Sequence, residues 1–182
     1  MAASSTSSSA ASSSGNVAGA LPARWEPQAG ASLVVATVDV YVLRGTGDHQ
    51  ALLLLRRAAG TRCTGSWEVV HGRIEPHERP EGAAVREVRE ETGFAVERLY
   101  NVTVQPFYIH AQALVTAAVV FAAFVGDGPL VLGPEHDAGE WLLLGEARER
   151  VSWPRSRAVI ADIALTLRAG HAGPIDDVLR VR

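Results

Sequence analysis

From Gly72 to Phe94 the chain reads GRIEPHERPEGAAVREVREETGF, which sets three carboxylates, Glu87, Glu90 and Glu91, three and four residues apart. On a helix those spacings bring side chains within one turn of one another. Like-charged neighbours repel by about 0.2–0.5 kcal/mol per pair, and acids near a helix C-terminus oppose its dipole by a similar amount. The arrangement calls for positive charge. A hard divalent cation such as Mg²⁺ answers it, because that ion is held by one or two carboxylates together with waters and substrate phosphates. Arg86 can pair with Glu90 at i+4 or reach Glu78 in the preceding loop. There its guanidinium would orient the carboxylates and keep them ionised.

The element that must carry these side chains has its own punctuation. Pro80 suits the first helical position, where a missing N–H costs nothing and the fixed φ is already helical. Gly93 suits the end, because a glycine just past the last turn takes the left-handed conformation without a Cβ penalty. Between them Ala83, Ala84, Val85 and Val88 form an apolar arc that can lie on a sheet.

Gly72, Glu78, Arg86, Glu87, Glu90, Glu91 and Gly93 fall on the pattern G-x5-E-x7-R-E-U-x-E-E-x-G-U, with Val88 and Phe94 at its apolar places. The segment resembles the signature of the Nudix hydrolases, and the likeness extends more weakly over about residues 30–168 through LLLLRR, SWEVVHG and EHDAGEW. The resemblance implies an α/β/α sandwich around a mixed sheet. It also implies a Mg²⁺- or Mn²⁺-dependent hydrolase of nucleoside di- or triphosphate-type small molecules. Glu87 and Glu91 then look like direct metal ligands, Glu90 a further ligand or the group that takes a proton from water, and the Gly72 carbonyl one more oxygen. A fourth acid from a distant loop is common in the family. Glu135 is the candidate here, with Asp137 and Glu140 as rivals; His136 beside it could serve as base, although a lone loop histidine is more often solvated. His71 stands where many such motifs carry a second glycine; it could contact substrate, but the favoured reading is that extended backbone there tolerates it.

Other residues are available to a substrate. Arg56, Arg57 and Arg73 could meet phosphates, and Trp67, Phe107 or Tyr108 could stack on a base; of these Arg57, Arg73 and Trp67 are taken as the substrate contacts. Within the family the chain is most similar to bacterial enzymes that cleave deoxynucleoside triphosphates or dihydroneopterin triphosphate to monophosphate and pyrophosphate. A dinucleoside polyphosphate hydrolase is the nearest alternative, since a Glu-His pair shortly before a Trp also occurs there, although that group usually has Tyr where Gly139 stands. An ADP-ribose hydrolase, and a nucleotide-binding regulatory module without turnover, complete the set.

The scaffold follows from apolar runs. Ser32 to Leu43 and Gln50 to Arg57 read as a β-hairpin near the sheet centre, and Ser66 to Val70 as a short strand delivering His71 and Gly72. Ala95 to His110 and Leu114 to Val125 read as two more strands, the second equally a buried helix on periodicity alone but cut by Gly126 and Gly128 and set among strands; Pro129 to Gly139 reads as a loop, and Glu140 to Leu144 as a last strand. Pro154 to Ala169, with its stripe Ile160, Ile163, Ala164 and Leu167, fits an amphipathic helix on the other side of the sheet from the motif helix.

At 182 residues, 47% hydrophobic and with a net charge of −3, the chain suits one domain and offers no basic face for a nucleic-acid duplex. The expected organisation is a disordered Ser/Ala-rich tail at 1–22, the catalytic domain at 28–170 and a C-terminal tail at 171–182. No run is long and apolar enough to span a bilayer, no targeting peptide is recognisable, and Cys63 stands alone, so a cytoplasmic location is expected. Cys63 has no base beside it to activate it. A homodimer is compatible with this reading.

Overall fold

β-branched and leucine-rich segments collapse into a mixed sheet, because each can bury side chains on both faces only with a helix laid against each. The computed structural model describes residues 32–182, so the expected tail at 1–22 and the lead-in up to residue 31 lie outside it. Within these residues the sheet has seven strands: β1 (Ser32–Arg44), β2 (Ala51–Arg57), β3 (Trp67–Glu68), β4 (Val70–Arg73), β5 (Val96–Ile109), β6 (Leu114–Val125) and β7 (His136–Leu143). Helix α1 (Pro80–Thr92) covers one face, and α2 (Leu144–Arg150) and α3 (Pro154–Thr166) cover the other.

β1 is the axis. Along one edge it runs parallel to β6 over nearly its whole length, and β6 continues into antiparallel β5. Its other edge is divided. The hairpin with β2 is paired only at Leu43↔Leu52 and Arg44↔Ala51, after which β2 turns away to pair throughout with β7. Residues 67–73 enter the resulting gap, pairing first with β2 (Leu55↔Glu68, Arg56↔Trp67) and then with β1 (Val38↔Gly72, Asp39↔His71).

This wedge explains why the expected single strand Ser66 to Val70 is instead two. The segment changes partner at Val69, and β4 runs on through His71 and Gly72 to Arg73. The hairpin expected between β1 and β2 is correspondingly confined to its turn end.

Alternation along β1 divides the core. Val38, Val40 and Val42 pack under α1 with Leu53, Leu55, Ala83, Ala84, Val88 and Leu99. Tyr41 and Leu43 face the opposite way, toward Val159, Ile160, Ile163 and Leu167 of the α3 segment. The stripe expected on α3 is thus the face that packs, with Val159 added to it.

Two further expectations are corrected. The last strand starts at His136 rather than Glu140, because pairing with β2 extends to Arg57↔His136. Leu144 opens α2, a helix the apolar run LLLG had hidden; the Glu146 carboxylate accepts a hydrogen bond from the Leu143 N–H and so caps it. The end of the chain is held against β5 by the bond from Val181 N to the Leu99 carbonyl at 2.8 Å and a bridge between Tyr100 and Arg180.

Gly93 ends α1 in the left-handed conformation at φ 74°, its N–H bonded to the Arg89 carbonyl. A Cβ there would come within 3.0 Å of the Val131 Cβ. Gly93→Ala should therefore lower stability by about 1–2 kcal/mol, measurable as a downward shift of the thermal midpoint.

Candidate active site

Helix α1 presents its glutamates at graded depth. Glu91 is 9% exposed, the Glu87 side chain 13% and the Glu90 side chain 58%. The depth follows from the helical angle, since Glu87 and Glu91 flank the buried Val88 whereas Glu90 turns outward.

Glu87 owes its position to Gly72. The β4 backbone passes so close that a Cβ at Gly72 would sit 1.9 Å from the Glu87 Cδ. Only glycine allows a carboxylate to lie on the strand there.

Arg86 neutralises the outer part of the cluster. Its Nε and Nη2 donate to the two oxygens of Glu78 at 3.1 and 2.9 Å, its Nη1 donates to Glu87 at 2.8 Å and to Glu90 at 3.2 Å, and Nη2 also reaches the Arg73 carbonyl at 2.8 Å. Both partners expected for Arg86 from the sequence are present, and Glu87 is added. The Arg86 hydrogen bonds, joined by the Glu75 N–H, hold the Glu78 carboxyl below its usual range.

No such partner reaches Glu91. Its Oε2 is buried without a hydrogen bond, facing the equally unpartnered Nδ1 of His136 at 4.0 Å. Burial, followed by the charges of Glu87, Glu68 and Glu135, pushes the Glu91 carboxyl up to about 9. Arg57 offsets this only in part.

Behind Glu91 lies a layer that the sequence did not single out. Glu68 of β3 accepts hydrogen bonds from Trp153 Nε1 at 3.1 Å, Arg57 Nη1 at 3.3 Å and His136 Nε2 at 3.3 Å. Burial would raise the Glu68 carboxyl, but the bonds from His136 and Trp153 and the Arg57 charge hold it below the ordinary value. His136 is therefore not a solvated loop residue: its side chain is 1% exposed, fixed between two carboxylates. A carboxylate set among Trp and Val in SWEVV was the one available signal for Glu68. The same holds for Asp39 in VVATVDVYVL.

Of the three loop acids, Glu135 is the one tied to this cluster, through Arg57 Nη1 at 2.7 Å. Asp137 pairs with Arg56 and Glu140 with Arg150, each at 2.7 Å. Of the substrate contacts expected, Arg57 is committed to Glu68 and Glu135, whereas Arg73 has an exposed side chain on β4. Trp67 points away from the glutamates, packed against the α3-side core with Arg150 4.8 Å and Arg56 6.0 Å over its ring. Cys63 is exposed, in a loop with φ 59°.

Among the described residues no three side chains converge tightly enough to form a ready-made metal cage. The donor set nevertheless suits a hard cation. It offers carboxylate oxygens at three depths, one of them orphaned, beside the Gly72 backbone, and Mg²⁺ and Mn²⁺ take oxygen donors while keeping several waters and phosphate oxygens.

The comparisons with known proteins agree on the architecture. The NUDIX domain model matches residues 34–163. A protein named octanoyltransferase from Myxococcus xanthus is 36% identical over 128 residues, which is 68% of this chain and 35% of that one. A Caenorhabditis elegans protein provisionally named nudix hydrolase 1 is 32% identical over 144 residues, 77% of this chain and 37% of that one. The chain thus spans about a third of the length of the curated relatives it matches. Among solved structures, a C. elegans Ap4A hydrolase binary complex superposes with a TM-score of 0.62 at 20% identity, covering 74% of this chain and 98% of that one. The E. coli dihydroneopterin triphosphate pyrophosphohydrolase gives 0.58 at 23%, covering 72% and 98%.

In the cation-free protein the folded state binds a proton at Glu91 that the unfolded chain, with a carboxyl near 4.5, releases. Stability should then fall as pH rises from about 4.5 to about 9. Glu91→Gln should remove that fall, so in thermal melts with chelator the variant becomes the more stable protein at the alkaline end. Saturating Mn²⁺ should reverse the order.

Proposed function

This chain belongs to the NUDIX domain family, and we propose that it is a divalent-cation-dependent hydrolase of a nucleotide or nucleotide-like triphosphate. The substrate is a deoxynucleoside triphosphate or dihydroneopterin triphosphate, cleaved to monophosphate and pyrophosphate. The observation that carries this reading is the buried, partnerless Glu91 oxygen beside a Glu87 carboxylate seated on Gly72. A buried carboxyl in that position must keep a proton or be joined by a cation.

Glu87, Glu90, Glu91 and the Gly72 carbonyl would hold Mg²⁺ or Mn²⁺, which supplies charge neutralisation at the diphosphate and a more acidic bound water. Arg86 keeps Glu87 and Glu90 aligned. Glu90, the most exposed of the three and restrained by a single Arg86 contact, is free to take the proton as water oxygen attacks phosphorus. The P–O bond to the pyrophosphate bridge breaks, and that oxygen leaves with pyrophosphate. Glu135 acts as the outer acid through Arg57, while Arg73 is the contact beyond the reacting centre; Trp67, packed on the other side of the sheet, is not one. The domain is taken as 28–170, with 1–22 as a tail and 171–182 as a C-terminal tail that packs against β5.

A dinucleoside polyphosphate hydrolase is the alternative, favoured by the Glu135–His136 pair ahead of Trp141. Against it stands Gly139. A Cβ there would meet Leu130 at 2.5 Å and Leu55 at 3.2 Å, which leaves no room for the tyrosine usual in that group.

A panel of deoxynucleoside triphosphates, dihydroneopterin triphosphate, dinucleoside polyphosphates and ADP-ribose, incubated with Mg²⁺ or Mn²⁺ and read by mass spectrometry, should yield monophosphate and pyrophosphate from a triphosphate. Glu91→Gln should lower kcat by on the order of 10²–10³ while the protein stays folded. Binding without turnover across the panel would favour a regulatory module instead.

A further inference from the structure

Glu68 is a buried carboxylate tied to two elements that lie apart from its own strand. Its Oε2 accepts the Trp153 indole N–H at 3.1 Å, and its Oε1 accepts Arg57 Nη1 at 3.3 Å. Trp153 stands just before α3, and Arg57 ends β2. An acid withdrawn from water on a two-residue strand would be costly without such donors.

Arg57 carries the contact outward. Its Nε donates to the Arg62 carbonyl at 3.1 Å, and the same Nη1 that meets Glu68 donates to Glu135 Oε2 at 2.7 Å. The Arg57 side chain is 18% exposed, whereas that of Glu135 is 60% exposed. A guanidinium pinned from within therefore holds an acid that water alone would leave free to change rotamer.

The backbone brings that acid to the glutamates. Gly133 N donates to the Glu91 carbonyl at 3.1 Å, and Ala58 N donates to the Glu135 carbonyl at 2.9 Å. A Cβ on Gly133 would lie 3.0 Å from the Glu90 carbonyl oxygen and 3.3 Å from the Glu91 Cα, so the loop is seated on the turn of α1 that carries both. Stability alone accounts poorly for the chain of contacts, because desolvation offsets most of the attraction in a mostly buried ion pair. Its product is a defined place for the Glu135 carboxylate, and an acid that meets a cation or a reacting phosphate needs placement within about 0.5 Å.

Resting on the hydrolase reading above, the geometry points to Glu68 and Trp153 as positioning residues for Glu135. Trp153 fixes the Glu68 carboxylate, Glu68 fixes the Arg57 guanidinium, and Arg57 sets the loop acid beside the turn that bears Glu90 and Glu91. Glu68 and Trp153 act through Arg57 and touch neither cation nor substrate.

The test is a mutant cycle read by Mn²⁺ affinity from electron paramagnetic resonance, with kcat on the triphosphate panel measured alongside. Glu68→Asp keeps the charge but shortens the reach by one methylene, and Trp153→Phe keeps a ring but removes the indole N–H. With Glu135 present, each should weaken Mn²⁺ binding by roughly threefold or more, as Glu135→Gln itself does. In the Glu135→Gln background each should change it by less than about twofold, because the acid they place is gone. Arg57→Lys, whose ammonium can still bridge two carboxylates, should keep more of the affinity than Arg57→Met. Should Glu68→Asp fail to fold, Trp153→Phe decides. A purely structural network would lower the melting temperatures and leave Mn²⁺ affinity in place. That result, undiminished effects in the Glu135→Gln background, or no effect of Glu135→Gln itself overturns the assignment. Coupled Mn²⁺ effects without turnover of any substrate sink hydrolysis alone, and turnover with independent effects sinks the positioning role alone. Absence of Mn²⁺ binding sinks the positioning role, and hydrolysis with it if no substrate is turned over.

Discussion

A carboxylate without a counter-charge is the constraint around which this fold is arranged. Glu91 is carried into the interior by the same helical face that buries Val88, and its Oε2 makes no hydrogen bond among the described residues. Its neighbours are mostly acids, so a proton or a cation must accompany it when the chain folds. Surrounding elements are consistent with that demand. Gly72 removes its own side chain so that Glu87 can lie beside Glu91, and the Glu68–His136 pair closes the floor beneath.

The two arginines nearest the site divide the work of charge compensation. Arg86 holds the rim by gathering Glu78, Glu87 and Glu90 and tying them to the β4 carbonyl at Arg73. Arg57 joins the interior Glu68 to the exposed Glu135. Between these hubs Glu91 alone is left uncompensated, which is why its affinity for a proton stands out. Charge is therefore patterned by depth: paired at the surface, hydrogen-bonded at the floor, and open only in the middle.

The wedge of residues 67–73 between β1 and β2 connects this site to the opposite side of the sheet. Because the segment leaves β2 for β1 at Val69, consecutive residues near that switch address different layers: Glu68 the floor, Gly72 the glutamates, His71 the Asp39–Arg155 pair. A single strand in a continuous hairpin could not deliver these three positions to one end of the sheet.

The chain's own order of residues settled the motif helix, from Pro80 at its start to Gly93 at its end, since proline and glycine act through local φ preferences that need no tertiary partner. It settled α3 as well, through its 3.6-residue stripe, whereas the apolar run of β6 fitted a buried helix equally and was read as a strand from Gly126, Gly128 and its neighbours. The spacing of Glu87, Glu90 and Glu91, with Arg86 and Gly72, was equally legible. What only tertiary structure decided depends on contacts distant in sequence. The break of residues 66–70 into two strands reflects a change of partner, and α2 emerges from LLLG because Glu146 caps it and Ala147 is buried against the α3 side. The depth of Glu91 and the burial of His136, 45 residues further along the chain, arise from strands that approach only after folding. So does the pairing of Asp39 with Arg155, 116 residues apart. Local patterning names which side chains can do chemistry; which of them lose water and face one another is set by how the strands come together.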